Sequence, residues 1–210
     1  HFRYGDTTSF SAAEIEQDQI LICTHGRHDK CCAKFGQELA DKMRYHVLKQ
    51  KTSIEVWESS HLGGHRFAPT MLDFPTGLAY GRLTPDEIPN FLASRKEGLV
   101  YGPAYRGTVF LSELEQVAEA NVQHYCSMRN WSCQFQIQNL EKISKEKFRC
   151  IAMFRKSESS INPQNNIPDE LPFTFKLKGF ESPSGCNELE VRKLRKCWEL
   201  ESTIPSNNFL

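Results

Sequence analysis

The sequence lacks net charge, long apolar runs and internal repeats. Lys and Arg number 26 and Asp and Glu 26 over 210 residues, so the long-range field that steers proteins onto nucleic acid or anionic membranes is missing. No stretch approaches the roughly 18 apolar residues of a transmembrane helix. No charged start leads into the apolar core of a signal peptide. These absences set the expectation of a cytoplasmic protein with neither a nucleic-acid nor a membrane partner. Hydrophobic residues make up 39% of the chain, which is enough for a sizeable core and excludes wholesale disorder.

Cysteine is present in some quantity. Its eight residues occupy positions 23, 31, 32, 126, 133, 150, 186 and 197. A chain of this size folds without disulfide staples, so metal or redox chemistry is considered first. Cys23, Cys31 and Cys32 cluster beside His25 and His28, while the other five are scattered through the C-terminal half.

Gln19-Ile20-Leu21-Ile22 reads as a buried strand that stops at Cys23. From Lys30 to about Leu48, the residues Ala33, Phe35, Leu39, Ala40, Met43 and Val47 recur at helical steps, with Cys31 and Cys32 at the start of the helix. Thr52 to Trp57 alternates as a second strand, which completes a βαβ unit. Candidate strands follow at 68–72 and 78–83. Thr84-Pro85-Asp86-Glu87 then carries an N-cap, a proline at the first helical position and a carboxylate at the third, which starts a helix running to about Arg95. Leu99 to Pro103 reads as a connector, and Leu111 to about Tyr125 as an amphipathic helix with Leu114, Val117, Ala118 and Val122 on one face. Beyond Asn130 the period changes to two, through Trp131, Cys133, Phe135 and Ile137 and again through Phe148, Cys150, Ala152 and Phe154. With Phe173 to Leu177 this predicts an antiparallel layer with one wet face. Residues 157–172 read as a loop, and 188–200, ambiguous between strand and helix, are taken as a strand. The expected division is an α/β domain over 1–128 and a small antiparallel β-rich extension over 129–210.

Cys23 and Cys32 lie on either side of the first strand-to-helix junction, and His61 and His65 follow the second strand. The C-terminal ends of parallel strands share one edge of a sheet, so these two loops can meet. Two thiolates and two imidazoles suit zinc or an iron–sulfur cluster. Gly63 and Gly64 relieve the steric cost of a sharp turn between the histidines and leave room beside the chain.

The runs Cys23-Thr24-His25-Gly26-Arg27-His28-Asp29-Lys30-Cys31-Cys32-Ala33 and His61-Leu62-Gly63-Gly64-His65-Arg66-Phe67-Ala68-Pro69-Thr70 resemble the two signatures of the sucrase/ferredoxin-like family. Tyr80-Gly81-Arg82-Leu83, Tyr105-Arg106-Gly107 and Gln116-Val117-Ala118-Glu119 are also similar to its pattern, and the likeness runs from about residue 19 to 125. That family is similar in turn to thioredoxin-like [2Fe-2S] ferredoxins, whose two late cysteines stand where His61 and His65 stand here. The resemblance implies a thioredoxin-like ferredoxin domain with one [2Fe-2S] cluster whose iron is bound by Cys23, Cys32, His61 and His65. Cys32 is favoured over Cys31 because it lies three residues after Asp29, as the family motif places its ligand. Family members usually carry a further N-terminal region ahead of the first motif. The implied role is one-electron transfer with a redox partner protein, either a reductase or an acceptor, rather than stand-alone catalysis.

Replacing two thiolates by neutral imidazoles makes the cluster less negative, so a higher potential than that of all-cysteine ferredoxins and an alkaline pH dependence are expected. A zinc-stabilised structural or interaction module would use the same four residues. A sucrase is not expected, since no carboxylate pair suited to flanking a sugar can be located in the motifs. Cys31 reads as a small apolar helix residue, with a vicinal thiol or an alternative ligand as the other choices. The five later cysteines read as buried thiols. His25 and His28 read as solvated loop residues. Arg66 and Arg106 are divided between plain salt bridges and contact with an anionic partner or the cluster region.

Overall fold

A computed structural model describes residues 17–26, 30–129, 131, 133–156, 167–183 and 192–203. Strand β1 (Gln19–Cys23) leads into helix α1 (Lys30–Gln50) and strand β2 (Glu55–Ser59). β1 and β2 pair in parallel with Cys23 opposite Ser59, which is the expected βαβ unit. Strands β3 (Thr70–Phe74), β4 (Leu78–Gly81) and β5 (Tyr105–Thr108) add antiparallel neighbours, giving the sheet order β2-β1-β3-β4-β5. Of the first four strands, β3 runs against the other three.

α1 packs on this sheet through Leu39, Ala40, Met43 and Val47, which are buried with Ile20 and Ile22 of β1. The expected Phe35 is not on that face and is 44% exposed. The buried stripe passes through Cys32 and Gly36 instead. At Gly36 the helix lies so close to β1 that a Cβ would collide with the Cys23 carbonyl oxygen, and a phenyl ring could not enter there.

The second predicted helix is divided. Pro85–Glu87 form a 3-10 turn, and α2 runs from Ile88 to Lys96, burying Ile88, Phe91 and Leu92. The Thr84 and Glu87 side chains form the reciprocal capping box, with Glu87 Oε2 accepting from the Thr84 amide at 2.8 Å. Helix α3 (Glu113–Met128) begins with a second box between Ser112 and Glu115.

Strands β6 (Cys133–Ser144), β7 (Lys147–Lys156), β8 (Glu170–Pro183) and β9 (Arg192–Ser202) form a separate antiparallel sheet in sequence order. The residues taken as a loop at 157–172 therefore already include strand from Glu170 onward, while 157–166 lie outside the described residues. One face of this sheet buries Phe148, Cys150, Ala152, Phe173 and Phe175 against Ala118, Val122 and Cys126 of α3. Each such aromatic withdrawn from water contributes about 2 kcal/mol. Ala120, on another side of α3, packs on the first core, so the helix lies between the two sheets. Among the described residues no helix is long and apolar enough to cross a membrane.

Candidate functional site

The C-terminal ends of β1 and β2 form the edge where the two signature loops leave the sheet. Just past Cys23, the Thr24 amide donates to the Ser59 carbonyl at 3.2 Å. Glu58 ties the neighbouring elements together. Its carboxylate accepts from Thr24 Oγ1 at 3.1 Å, Gln37 Nε2 at 3.3 Å and Arg44 Nη2 at 2.9 Å. The bonds from Arg44 and Gln37 hold the Glu58 carboxyl below the ordinary carboxylate range.

Cys23 is fully buried at the end of β1, and Cys32 is equally buried in the first turn of α1. Neither is disulfide-bonded. A helix N-terminus favours negative charge, and the first turn of α1 carries no acidic residue to compete for it. Cys32 thus stands at the helix end whose dipole favours negative charge.

Past β2 the backbone reverses at Gly63 (φ 84°) and Gly64 (φ 66°), the left-handed region that glycine adopts without penalty. The 3-10 turn His65–Phe67 follows, closed by the Phe67 amide donating to the Gly64 carbonyl at 2.7 Å. The expected sharp turn between the histidines is therefore present. His61 is exposed and His65 half-buried. The His65 carbonyl oxygen lies 3.7 Å from Cys31 Sγ, so this turn rests against the start of α1.

Cys31 is disulfide-bonded, which corrects its reading as an apolar filler: its sulfur is already committed to a covalent bond. The later Cys126, Cys133, Cys150 and Cys197 are free thiols, as expected, and Cys186 lies outside the described residues. Cys126 and Cys150 are buried, Cys133 and Cys197 half-buried. Burial pushes the Cys150 thiol up to about 12. His28 also lies outside the described residues.

The donor set fits a cluster or a zinc ion in its chemistry, and its two loops share one edge of the sheet. Beside the turn, the Thr70 hydroxyl is buried with no hydrogen-bond partner among the described residues. Its methyl lies 3.7 Å from the place a Cβ on Gly64 would occupy, so this side chain borders the turn. The structure does not close the four predicted side chains into one coordination sphere. Among the described residues, no three His, Cys, Asp or Glu groups gather closely enough to hold a metal ion.

Three arginines also converge here. Arg66, Arg82 and Arg106 surround the Phe67 ring, with guanidinium carbons 5.6, 5.2 and 3.3 Å from its centroid. Sequence reasoning singled out Arg66 and Arg106 as individual residues but gave no role to Arg82 or Phe67. The β3-β4-β5 pairing is what joins positions so far apart in the chain.

Residues 5–107 match the sucrase/ferredoxin-like family. Altered inheritance of mitochondria protein 32 of Debaryomyces hansenii is 28% identical over 106 residues, covering 48% of this chain and 39% of that protein. The protein of the same name from Meyerozyma guilliermondii is 27% identical over 106 residues, covering 48% and 38%. The chain thus spans under two-fifths of the length of these relatives. Among solved structures, a thioredoxin-like [2Fe-2S] ferredoxin from Aquifex aeolicus is similar at 13% identity and a TM-score of 0.41, covering 45% of this chain and 94% of that one. A second structure of the wild-type ferredoxin is similar at a TM-score of 0.38, covering 43% and 97%.

Proposed function

Because residues 5–107 belong to the sucrase/ferredoxin-like family, we propose that this chain is an electron carrier holding one [2Fe-2S] cluster through Cys23, Cys32, His61 and His65. The observation that carries this reading is the pair of buried thiols, Cys23 and Cys32, at the sheet edge from which the His61–His65 turn departs. The cluster would supply a site that takes up and releases one electron. Cys23 and Cys32 would supply the two thiolates, Cys32 from the helix end that favours negative charge. His61, being exposed, would give a redox partner protein the shortest approach. Gly63 and Gly64 hold the two imidazoles on one tight reversal.

The test is direct. Protein purified without air should be red-brown, with visible bands bleached by dithionite and equal amounts of iron and acid-labile sulfide. Colourless protein with one zinc per chain would overturn electron transfer and establish the zinc module in its place.

A further inference from the structure

We propose that Arg66, Arg82 and Arg106, gathered over the Phe67 ring, form a binding site for a divalent tetrahedral oxyanion of the phosphate class. The site does not depend on the cluster. Arg106 stacks at 3.3 Å on the ring centroid, and Arg66 and Arg82 stand within 6 Å of it. All three side chains reach solvent. Among the described residues no carboxylate pairs with them. The charged groups that act on Arg106 are Arg82 and Arg66, and, together with the larger effect of burial, they lower it to about 10. Three like charges on one ring are mutually repulsive unless an anion sits among them.

The backbone beneath them is shaped for this placement. Arg82 has φ 62°, a left-handed conformation that costs a non-glycine residue about 1 kcal/mol or more. It is held there by its amide, which lies 2.8 Å from the Phe67 carbonyl and 3.0 Å from that of Pro69. The preceding Gly81 gives the ring its seat: a Cβ there would stand 2.8 Å from Phe67 Cβ. A strained arginine on a glycine-built seat is an expensive way to make a solvated face, and such strain concentrates at binding sites.

The ligand class follows from charge and shape. Guanidinium groups offer paired N–H donors that match the oxygens of phosphate and sulfate, and several cations favour a multivalent anion over chloride. A nucleic-acid backbone is a poor fit because the chain has no net positive charge.

Calorimetric titration of the full chain in low-salt buffer with inorganic phosphate, sulfate and chloride tests the site. The wild type should bind phosphate and sulfate saturably and chloride not at all. Arg82→Gln and Arg106→Gln should each weaken binding about tenfold or more, the usual loss for a charge-assisted hydrogen bond. Arg149→Gln, which removes an arginine paired to Glu141 on the other sheet, should leave it unchanged. Thermal melts check folding; if Arg106→Gln does not fold, Arg82→Gln decides. Absence of saturable binding, or equal binding by the folded Arg82→Gln protein, would overturn the proposal. Binding of poly-glutamate without binding of phosphate or sulfate would also overturn it, in favour of an acidic protein partner. None of these readouts uses the cluster, so failure here and failure of the electron-carrier reading are separable.

Discussion

Gly36 of α1 lies directly against the carbonyl of Cys23, and the space between them is too small for a methyl group. The contact sets the distance between the strand that ends in one thiol and the helix that begins with the other. Gly36→Ala should therefore lower stability by about 3 kcal/mol, near the upper end for overpacking, and lower iron content as well. Gly63→Ala is the comparison. Its φ is 84° but nothing lies within 4 Å of the added carbon, so the cost should be nearer 1 kcal/mol. Urea denaturation midpoints of the two variants measure the difference.

The adjacent cysteines should behave oppositely. Cys32 is buried and outside any disulfide, whereas Cys31 is disulfide-bonded. Iron bound per chain should fall close to zero in Cys32→Ser and stay near the wild-type level in Cys31→Ser. The reverse result would transfer the ligand role to Cys31.

Glu58 should contribute to the acid sensitivity of the site edge. Its folded-state carboxyl titrates below its ordinary value of 4.5, held down by Arg44 and Gln37. A depressed acid stabilises the fold above that ordinary value, and the contribution is lost as pH falls through the lower folded value. The side chain is 38% exposed, so solvent limits the effect to about 0.5 kcal/mol. Glu58→Gln should be less stable than wild type by this amount at pH 7, and the gap should close as pH falls from 4.5 through the depressed folded value. Urea melts across this pH range would show it.

Glu119 anchors α3 to β5. Its carboxylate accepts from Tyr105 Oη at 2.6 Å, from the Thr108 amide at 2.9 Å and from Thr108 Oγ1 at 3.1 Å. Burial and the bond to Glu119 hold the Tyr105 phenol protonated far above its usual range. Glu119→Gln keeps the shape but loses the charge and one acceptor oxygen, so it should cost about 2 kcal/mol. Hydrogen exchange at the Thr108 amide should rise in parallel.

Periodicity made the βαβ unit, the Thr84 cap and the wet-faced second sheet legible in the sequence, because each follows from local spacing. Phe35 was misplaced because apolarity alone does not reveal that the strand approaches the helix at Gly36. β5 went unread as a strand because it has four residues, one of them Gly107 at φ 101°. The ambiguous segment at 188–200 does contain strand, running from Arg192 to Ser202. For the site, spacing brought Cys23, Cys32, His61 and His65 forward, and the family motif favoured Cys32 over Cys31. The arginine cradle was invisible as a unit, since positions 66, 82 and 106 meet only after three strands have paired. The role of Glu58 was hidden similarly, because its partners come from the loop after β1 and from two turns of α1.

Helix α3 has a consequence for how this protein comes apart. It lends Ala120 to the first core and Ala118, Val122 and Cys126 to the second. Melting either sheet away from the helix would strip a wall from its neighbour and wet both interiors. The two layers are thus thermodynamically one body that should unfold in a single transition, and cutting the chain after α3 would leave an apolar stripe with nothing to cover it.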